Sequence, residues 1–521
     1  MPPTCIADLV ALQARDNPGA TALGFKTASM DYADLDQWLN RVANGLRTLG
    51  MARGARVLVY LPKSFETVTA LFGTARAGGV FIPVNPVLKP QQVGHILRDS
   101  GGTVLVTSRQ RALTLLDELR ASPDFHTLIL SDQPEDGDLE GVPYRGWNTM
   151  AESDTQAPAV DWDLQDTAAI LYTSGSTGHP KGVELSQNNL IVGAASVAEY
   201  LGNTREDRLL AVLPLSFDYG LSQLTTAFTV GAMAQLMDYL LPRDVIRAVD
   251  RFAITGLAGV PPLWVQLARL PWPEGAVRTL RYMTNSGGAM PVPVITALRE
   301  ALPNSDFYLM YGLTEAFRSS YLPPSELDKR PESMGKAIPN VELHVVHEDG
   351  SPCAPDEAGE LVHTGPLVGK GYWRNPGATA ERYKPFPPGS DEIAVWSGDL
   401  VKTDADGYLY FVGRKDDMIK SSGYRISPLE VEEVIYRGGL AAECAAFGVP
   451  HPELGQAVVL AVVPADATVY DAEVLISHCK TALPAFMVPA HVESRASLPR
   501  NPNGKIDRKT LALELKDLFS S

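Results

Sequence analysis

The chain has 521 residues, 45% of them hydrophobic and 20% charged, with a formal net charge of −16. That length exceeds one ordinary domain and supplies material for a large core. The acidic balance argues against nonspecific binding to nucleic acid or to an anionic membrane. Cys5, Cys353, Cys444 and Cys479 lie far apart with no Cys-x-x-Cys pair, and His478 beside Cys479 is no ligand spacing. Neither a disulfide framework nor a zinc site is expected. The first 24 residues lack a basic segment followed by an apolar core, and no apolar run reaches the roughly 18 residues of a membrane span. The expectation is a cytoplasmic protein.

In chain order, Asp31 is placed to cap a helix with apolar positions at Leu35, Trp38, Leu39, Val42, Leu46 and Leu49, stopped at Gly50. Arg56 to Leu61 reads as a strand, Phe65 to Ala77 as a helix and Val80 to Val84 as a second strand. Thr103 to Thr107 follows the turn at Ser100-Gly101-Gly102 and repeats the rhythm. Strands alternating with helices predict α/β layers around parallel sheet. The acidic, proline-containing stretch from Pro134 to Asp163 reads as an irregular surface connection.

The run from Ala168 to Tyr172 predicts a buried strand. It opens onto a loop in which Thr173, Ser174, Ser176 and Thr177 surround Gly175 and Gly178, and Lys181 follows Pro180. Small residues let backbone N–H groups turn inward, and hydroxyls with one ammonium suit polyphosphate oxygens. A Walker loop differs: there a glycine precedes the lysine, Ser or Thr follows it, and a helix begins. Here Gly182 follows Lys181, and Val183 to Leu185 is extended. Most Gly/Ser clusters are plain turns, but a linker does not need one lysine fixed by a proline. The loop is assigned to phosphate.

Ser186 can cap a helix through Leu201, and Leu209 to Leu215 reads as a buried strand opening onto Ser216-Phe217-Asp218-Tyr219-Gly220. Phe307 to Tyr311 is a short strand ending in Gly312-Leu313-Thr314-Glu315. From Glu342 the texture changes to short strands with Gly and Pro turns, a β-rich subdomain containing Ser397-Gly398-Asp399-Leu400 and Gly413-Arg414-Lys415-Asp416-Asp417. The expected division is a large domain over 1–415 and a small α+β domain over 416–521. Ser427, Pro428 and Glu430 supply the small domain's first helix with a cap, a first-turn proline and a capping-box acid. The tail ends on Asn501-Pro-Asn-Gly-Lys505-Ile-Asp-Arg-Lys509.

Together, in this order, these stretches resemble the AMP-forming acyl-activating superfamily of acyl-CoA synthetases, nonribosomal peptide synthetase adenylation domains and luciferases. The resemblance runs end to end. In detail the chain looks similar to the ligases associated with exosortase A systems and to stand-alone enzymes activating proline-like amino acids. The resemblance implies two steps: a carboxylate attacks the α-phosphate of Mg-ATP, then a thiol displaces AMP. Catalysis of the first is mostly positioning and charge stabilisation.

Carried over residue by residue, the resemblance places Thr173 to Gly178 and Lys181 on the β- and γ-phosphates, and Gly287, Gly288 and Ala289 beside adenine, where glycines permit close approach. Tyr311 would stack on adenine with Gly312 beside it, Thr314 would bond the α-phosphate and Glu315 would ligate Mg2+. Asp399, assisted by Arg414, would hold the ribose hydroxyls. Lys505 would reach from the small domain to the carboxylate and α-phosphate. Asp416 would be the hinge, and Gly423 would line the thiol's path. Alone, each has a plainer reading as a turn, a cap or a solvated charge.

For the acid itself, an aspartate after an aromatic, as in Phe217-Asp218, implies recognition of an α-ammonium and hence an amino or imino acid. Tyr219, Ser222, Asn285, Met310, Phe317 and Arg318 are candidate pocket neighbours. Arg318 would favour a second carboxylate or polar group instead, so the two hints conflict. The acceptor would be phosphopantetheine, on CoA or on a free-standing carrier protein. The alternatives are an acyl-CoA synthetase for a fatty, aryl or other non-amino acid, a luciferase-like oxygenase, and a nonenzymatic ATP-binding sensor, against which Lys505 speaks.

Overall fold

The computed structural model describes residues 2–173, 180–415, 417–421, 424–452, 454–465, 470–501 and 504–519. Parallel strands Arg56–Tyr60, Val80–Pro83, Val104–Thr107 and Thr127–Leu130 form the heart of one sheet, and the antiparallel pair Thr167–Thr173 and Lys181–Ser186 extends it. A second sheet holds the parallel strands Arg208–Ala211, Met233–Leu236, Gly256–Gly259, Tyr282–Asn285 and Asp306–Tyr311. Period-two alternation decides which way each side chain faces. Val57 and Val59 pack inward, while Leu58 and Tyr60 pack against the outer helices with Leu97 and Leu116.

Helices Tyr32–Thr48, Phe65–Arg76 and Asp218–Val230 share the core cluster that joins the facing sides of both sheets. Phe72 and Phe228 meet edge to face with centroids 5.3 Å apart, the geometry favoured by ring quadrupoles. Asp31 caps its helix by accepting the Asp34 N–H at 2.8 Å, as the sequence predicts.

Three local expectations are corrected. The connection from Pro134 to Asp163 contains strands Gly137–Leu139 and Val142–Gly146, the second pairing in parallel with Thr127–Leu130 because an open sheet edge gives its backbone partners. The strand at Leu209 ends at Ala211, and Asp218 lies in the first turn of a helix rather than at a strand end. The β-rich segment has the expected short strands, and they continue the second sheet. Strand Ser320–Leu322 pairs antiparallel with Asp306–Tyr311, and Ser333–Ala337 and Leu409–Arg414 carry the same sheet onward. Ser427 occupies its cap position, but its hydroxyl donates to the Val412 carbonyl and makes no cap bond.

A smaller C-terminal domain follows the large one. Its sheet of Ile419–Ser421, Tyr424–Ile426, Ala441–His451, Gly455–Pro464 and His491–Ser494 is covered on both faces. Ala446, Val458 and Leu460 face helices Pro428–Arg437 and Ala472–Ala482, while Phe447, Val449 and Val459 face Leu511. No helix among the described residues is long and apolar enough to cross a membrane.

The two large sheets are tied at their strand ends by Lys63. Its buried ammonium donates to the carbonyls of Val212 (3.1 Å) and Met237 (3.0 Å) and to Asp238 Oδ1 (2.9 Å). Replacing it with Met leaves two carbonyls without donors and is expected to destabilise the large domain by about 3 kcal/mol. Urea unfolding of Lys63→Met checks this; an unchanged midpoint contradicts it.

Candidate active site

The strand ends of the large domain and the inner face of the small one enclose a cavity of about 1130 Å³. Thr173 and Lys181 face each other across the hairpin and line it; residues 174–179, with Ser174, Gly175, Ser176, Thr177 and Gly178, lie outside the described residues, as do Asp416 and Gly423. The Lys181 ammonium sits 5.4 Å from the Tyr372 ring centroid. The Tyr372 hydroxyl donates to Glu315 Oε1 at 2.6 Å, and the Glu315 carbonyl accepts from Gly369 at 2.8 Å. Glu315 is thus held at the cavity wall from both ends.

The opposite wall is the turn after strand Tyr282–Asn285. Gly287 has φ +84°, a conformation side chains resist. Gly288 and Ala289 line the cavity with it. Asn285 Nδ2 closes the turn on the Gly288 carbonyl at 3.1 Å, while its buried Oδ1 has no hydrogen-bond partner among the described residues.

Tyr311 and Gly312 line the cavity beside Asp399. The Tyr311 hydroxyl donates to Asp399 Oδ2 at 2.5 Å. Asp399 and Arg414 are register partners across antiparallel strands Ile393–Thr403 and Leu409–Arg414. Arg414 Nε lies 3.1 Å from Asp399 Oδ1 without the alignment of a hydrogen bond, so this buried oxygen still lacks a donor among the described residues. Burial pushes the Asp399 carboxyl up against the pull of Arg414 and Tyr311. A carboxylate buried with an unfilled acceptor fits a hydroxyl-bearing ligand.

From the small domain, Lys505 reaches into the same cavity. Its N–H donates to Asn501 Oδ1 at 3.0 Å, and Asn501 N–H to the Lys505 carbonyl at 2.8 Å. The tail is pinned by Arg508, whose Nη2 donates to both oxygens of the buried Glu432 at 2.6 and 2.8 Å. Desolvation, then the charge of Arg414, hold the Lys505 ammonium below its usual range, while Asp218, Asp399 and Glu315 pull the other way. An entering polyanion would relieve this imbalance.

The substrate-side candidates divide. Asn285 and Met310 line the cavity, and a Cβ on Gly287 would lie 4.0 Å from the Phe217 ring. Asp218, Tyr219, Ser222 and Arg318 do not line it. Asp218 Oδ2 accepts from Arg318 Nη1 at 2.7 Å and Oδ1 from Thr314 Oγ1 at 3.3 Å, all of them buried. The free carboxylate expected for an ammonium group is therefore already neutralised, and Thr314 is turned toward it. The two conflicting hints in the sequence are partners of one another. Tyr219 bonds Thr284 at 2.5 Å beneath the Arg318 guanidinium, and Phe317 packs on Gly193. Both belong to the core.

The sequence did not single out Tyr372, Arg382 or the contact between Arg437 and Glu332; the first two sit in a turn-rich segment with no periodicity to mark them.

The cavity brings together the carboxylates of Asp399 and Glu315 and the ammonium groups of Lys181 and Lys505. Residues 10–373 match the family described as AMP-binding enzyme, and residues 430–505 match the AMP-binding enzyme C-terminal domain. The chain belongs to the AMP-binding enzyme family, in the class of AMP-forming acid–thiol ligases. It is 34% identical over 502 residues to a feruloyl-CoA synthase of Amycolatopsis sp, covering 95% of this chain and 96% of that one. It is 31% identical over 509 residues to tyrocidine synthase 2 of Brevibacillus parabrevis, covering 96% of this chain and 13% of that much longer one. The structure of an anthranilate CoA ligase in complex with anthranoyl-AMP superposes with a TM-score of 0.89, at 25% identity, over 100% of this chain and 99% of that one.

The buried pair and the domain contact each lead to an expected outcome. Asp218→Ala leaves Arg318 buried without its counter-ion and is expected to cost about 3–5 kcal/mol, lowering activity toward amino and desamino acids alike. Differential scanning calorimetry with a paired substrate assay checks both parts; a stable variant that loses amino acids alone refutes the pairing.

The second outcome concerns docking of the small domain. Arg437 pairs with Glu332 of the large domain and with Glu433 at 3.4 Å. Burial, then the Glu332 charge, push Glu433 up to about 7 from its ordinary 4.5; Glu430 and Glu432 act in the same sense and Arg437 opposes them. The docked state therefore binds more protons than the undocked one between these values. Docking is strongest below the window and weakens as pH rises through about 7. Limited proteolysis of the connection after Lys415 should accelerate from about pH 6 to about pH 8, and Glu433→Gln should flatten the profile. A pH-independent wild-type rate contradicts it.

Proposed function

We propose that this enzyme activates a non-amino carboxylic acid with Mg-ATP as the acyl-adenylate and passes the acyl group to the thiol of CoA. The observation that carries the adenylation reading is Lys505 in one cavity with Glu315, Asp399 and Arg414. In the first step a carboxylate oxygen forms a bond to the α-phosphorus, and the bond from that phosphorus to the bridging oxygen breaks to release pyrophosphate. Lys505 would lie against the α-phosphate and the incoming carboxylate, where its charge would offset the negative charge developing on the phosphoryl oxygens. Asp399 would accept from the ribose through its unfilled oxygen, Tyr311, fixed by Asp399, would flank the adenine with Gly287, Gly288 and Ala289, and Thr173 and Lys181 would face the outer phosphates. Glu315, a hard oxygen donor, would hold Mg2+, which supplies charge neutralisation on the triphosphate.

In the second step the CoA sulfur forms a bond to the acyl carbon, and AMP leaves with the electron pair of the acyl–oxygen bond. Residues from 416 onward would swing about Asp416, withdrawing Lys505 and bringing the Gly423 segment to the thiol. The charge-neutral Asp218–Arg318 pair supports a non-amino acid, as do the near-full-length likenesses to aryl-CoA ligases. An amino-acid substrate on a carrier protein is the second reading, favoured by Asp218's position after Phe217. The unpaired thiols of Cys5, Cys353, Cys444 and Cys479 accord with a cytoplasmic setting.

Pyrophosphate exchange across aryl, short and long acyl, and amino acids, followed by CoA-dependent AMP release, tests the reading. Exchange is expected with one of the non-amino classes, and Lys505→Ala should lower it about 100-fold with ATP affinity largely retained. Exchange with amino acids alone, or undiminished exchange in Lys505→Ala, defeats it.

A further inference from the structure

Glu315 and Asp399 come from segments more than eighty residues apart, yet a nucleotide and its metal must meet both in fixed relation. Of the cations near both, Arg382 touches a neighbour of each. Arg382 ends helix Pro376–Arg382 and lines the cavity. Its guanidinium lies beside the Tyr372 hydroxyl, which itself donates to Glu315. Nη1 donates to the Trp396 carbonyl at 3.3 Å. On its other side it lies flat on Gly398, which precedes Asp399: a Cβ there would stand 1.9 Å from Nη1, and φ is +71°. The charge of Arg382 also favours the ionised form of Asp399.

Both neighbours are independently held. Tyr372 pairs with Val183 of the hairpin, and its N–H donates to Thr379 Oγ1 at 2.9 Å on the same helix. Gly398 N–H donates to Glu360 Oε1 at 2.9 Å, and its carbonyl accepts from Lys415 at 2.9 Å. The planar, multiply donating guanidinium is what joins two such fixed points; a lysine has the charge but not the fork.

We propose that Arg382 is a positioning residue for the nucleotide, bridging Tyr372 on the Glu315 side and Gly398 on the Asp399 side so that both carboxylates present to one ligand in register. It rests on the adenylation reading above. It acts through its neighbours rather than on the reacting atoms, so its signature is in equilibrium binding and its partition between the metal and ribose sides.

The test is isothermal titration of ATP, with and without Mg2+ and without any acid, into the full-length wild type, Arg382→Gln, Arg382→Lys, Tyr372→Phe and the Arg382→Gln/Tyr372→Phe double variant. Mg-ATP is expected to bind about tenfold more weakly to Arg382→Gln, with Arg382→Lys intermediate. Tyr372→Phe should lose affinity only when Mg2+ is present, and the double variant should be no weaker than the poorer single one, because the two side chains act in series. Arg382→Gln within twofold of wild type, or multiplicative losses in the double variant, would overturn the proposal while leaving the adenylation reading intact. Should Arg382→Gln not fold, Arg382→Lys and Tyr372→Phe carry the same comparison. A wild type that binds no Mg-ATP defeats both.

Discussion

The organising constraint is the desolvation of Lys505. An ammonium drawn out of water next to Arg414 is unfavourable unless negative charge comes to it. Asp399, Glu315 and Asp218 supply part of that charge, but Asp399 is shared with Arg414 and Asp218 with Arg318. The remaining deficit is local, and it is set by a residue that arrives from another domain.

Holding that residue in place is the task of much of the small domain. The bidentate Arg508–Glu432 pair fixes the segment after Lys505 against helix Pro428–Arg437, and Arg437 of the same helix reaches Glu332. Ser427 gives up its capping role to bond Val412 of the large domain's last strand. The helix N-terminus therefore forgoes a cap worth about 1 kcal/mol for a contact across the domain boundary. Side chains that local rules assign to the helix serve the docking instead.

This difference explains what could be read in advance. The Asp31 cap and the strand from Arg56 are local patterns, and local patterns are written in consecutive residues. Asp399 and Arg414 were legible by motif, and the antiparallel register makes them neighbours. The strand Val142–Gly146 was missed because Pro143 and a neighbouring open edge strand, not its own periodicity, decide its place. The ion pair of Asp218 was illegible for the same reason on a larger scale. Its partner is 100 residues away, and no pattern around Phe217 announces that its charge is spoken for.

That pairing bears directly on the choice of acid. A lone buried carboxylate would demand a cation from the substrate, because leaving it unpaired is far costlier than breaking a surface contact. With Arg318 at 2.7 Å the demand is met internally, and Tyr219 beneath the guanidinium closes the remaining approach. An amino acid would have to displace the arginine and leave its buried donors, Nε and Nη2 already without partners among the described residues, further unsatisfied. A substrate lacking the ammonium requires no such rearrangement. The Asp218 carboxylate is therefore committed to a partner within the chain.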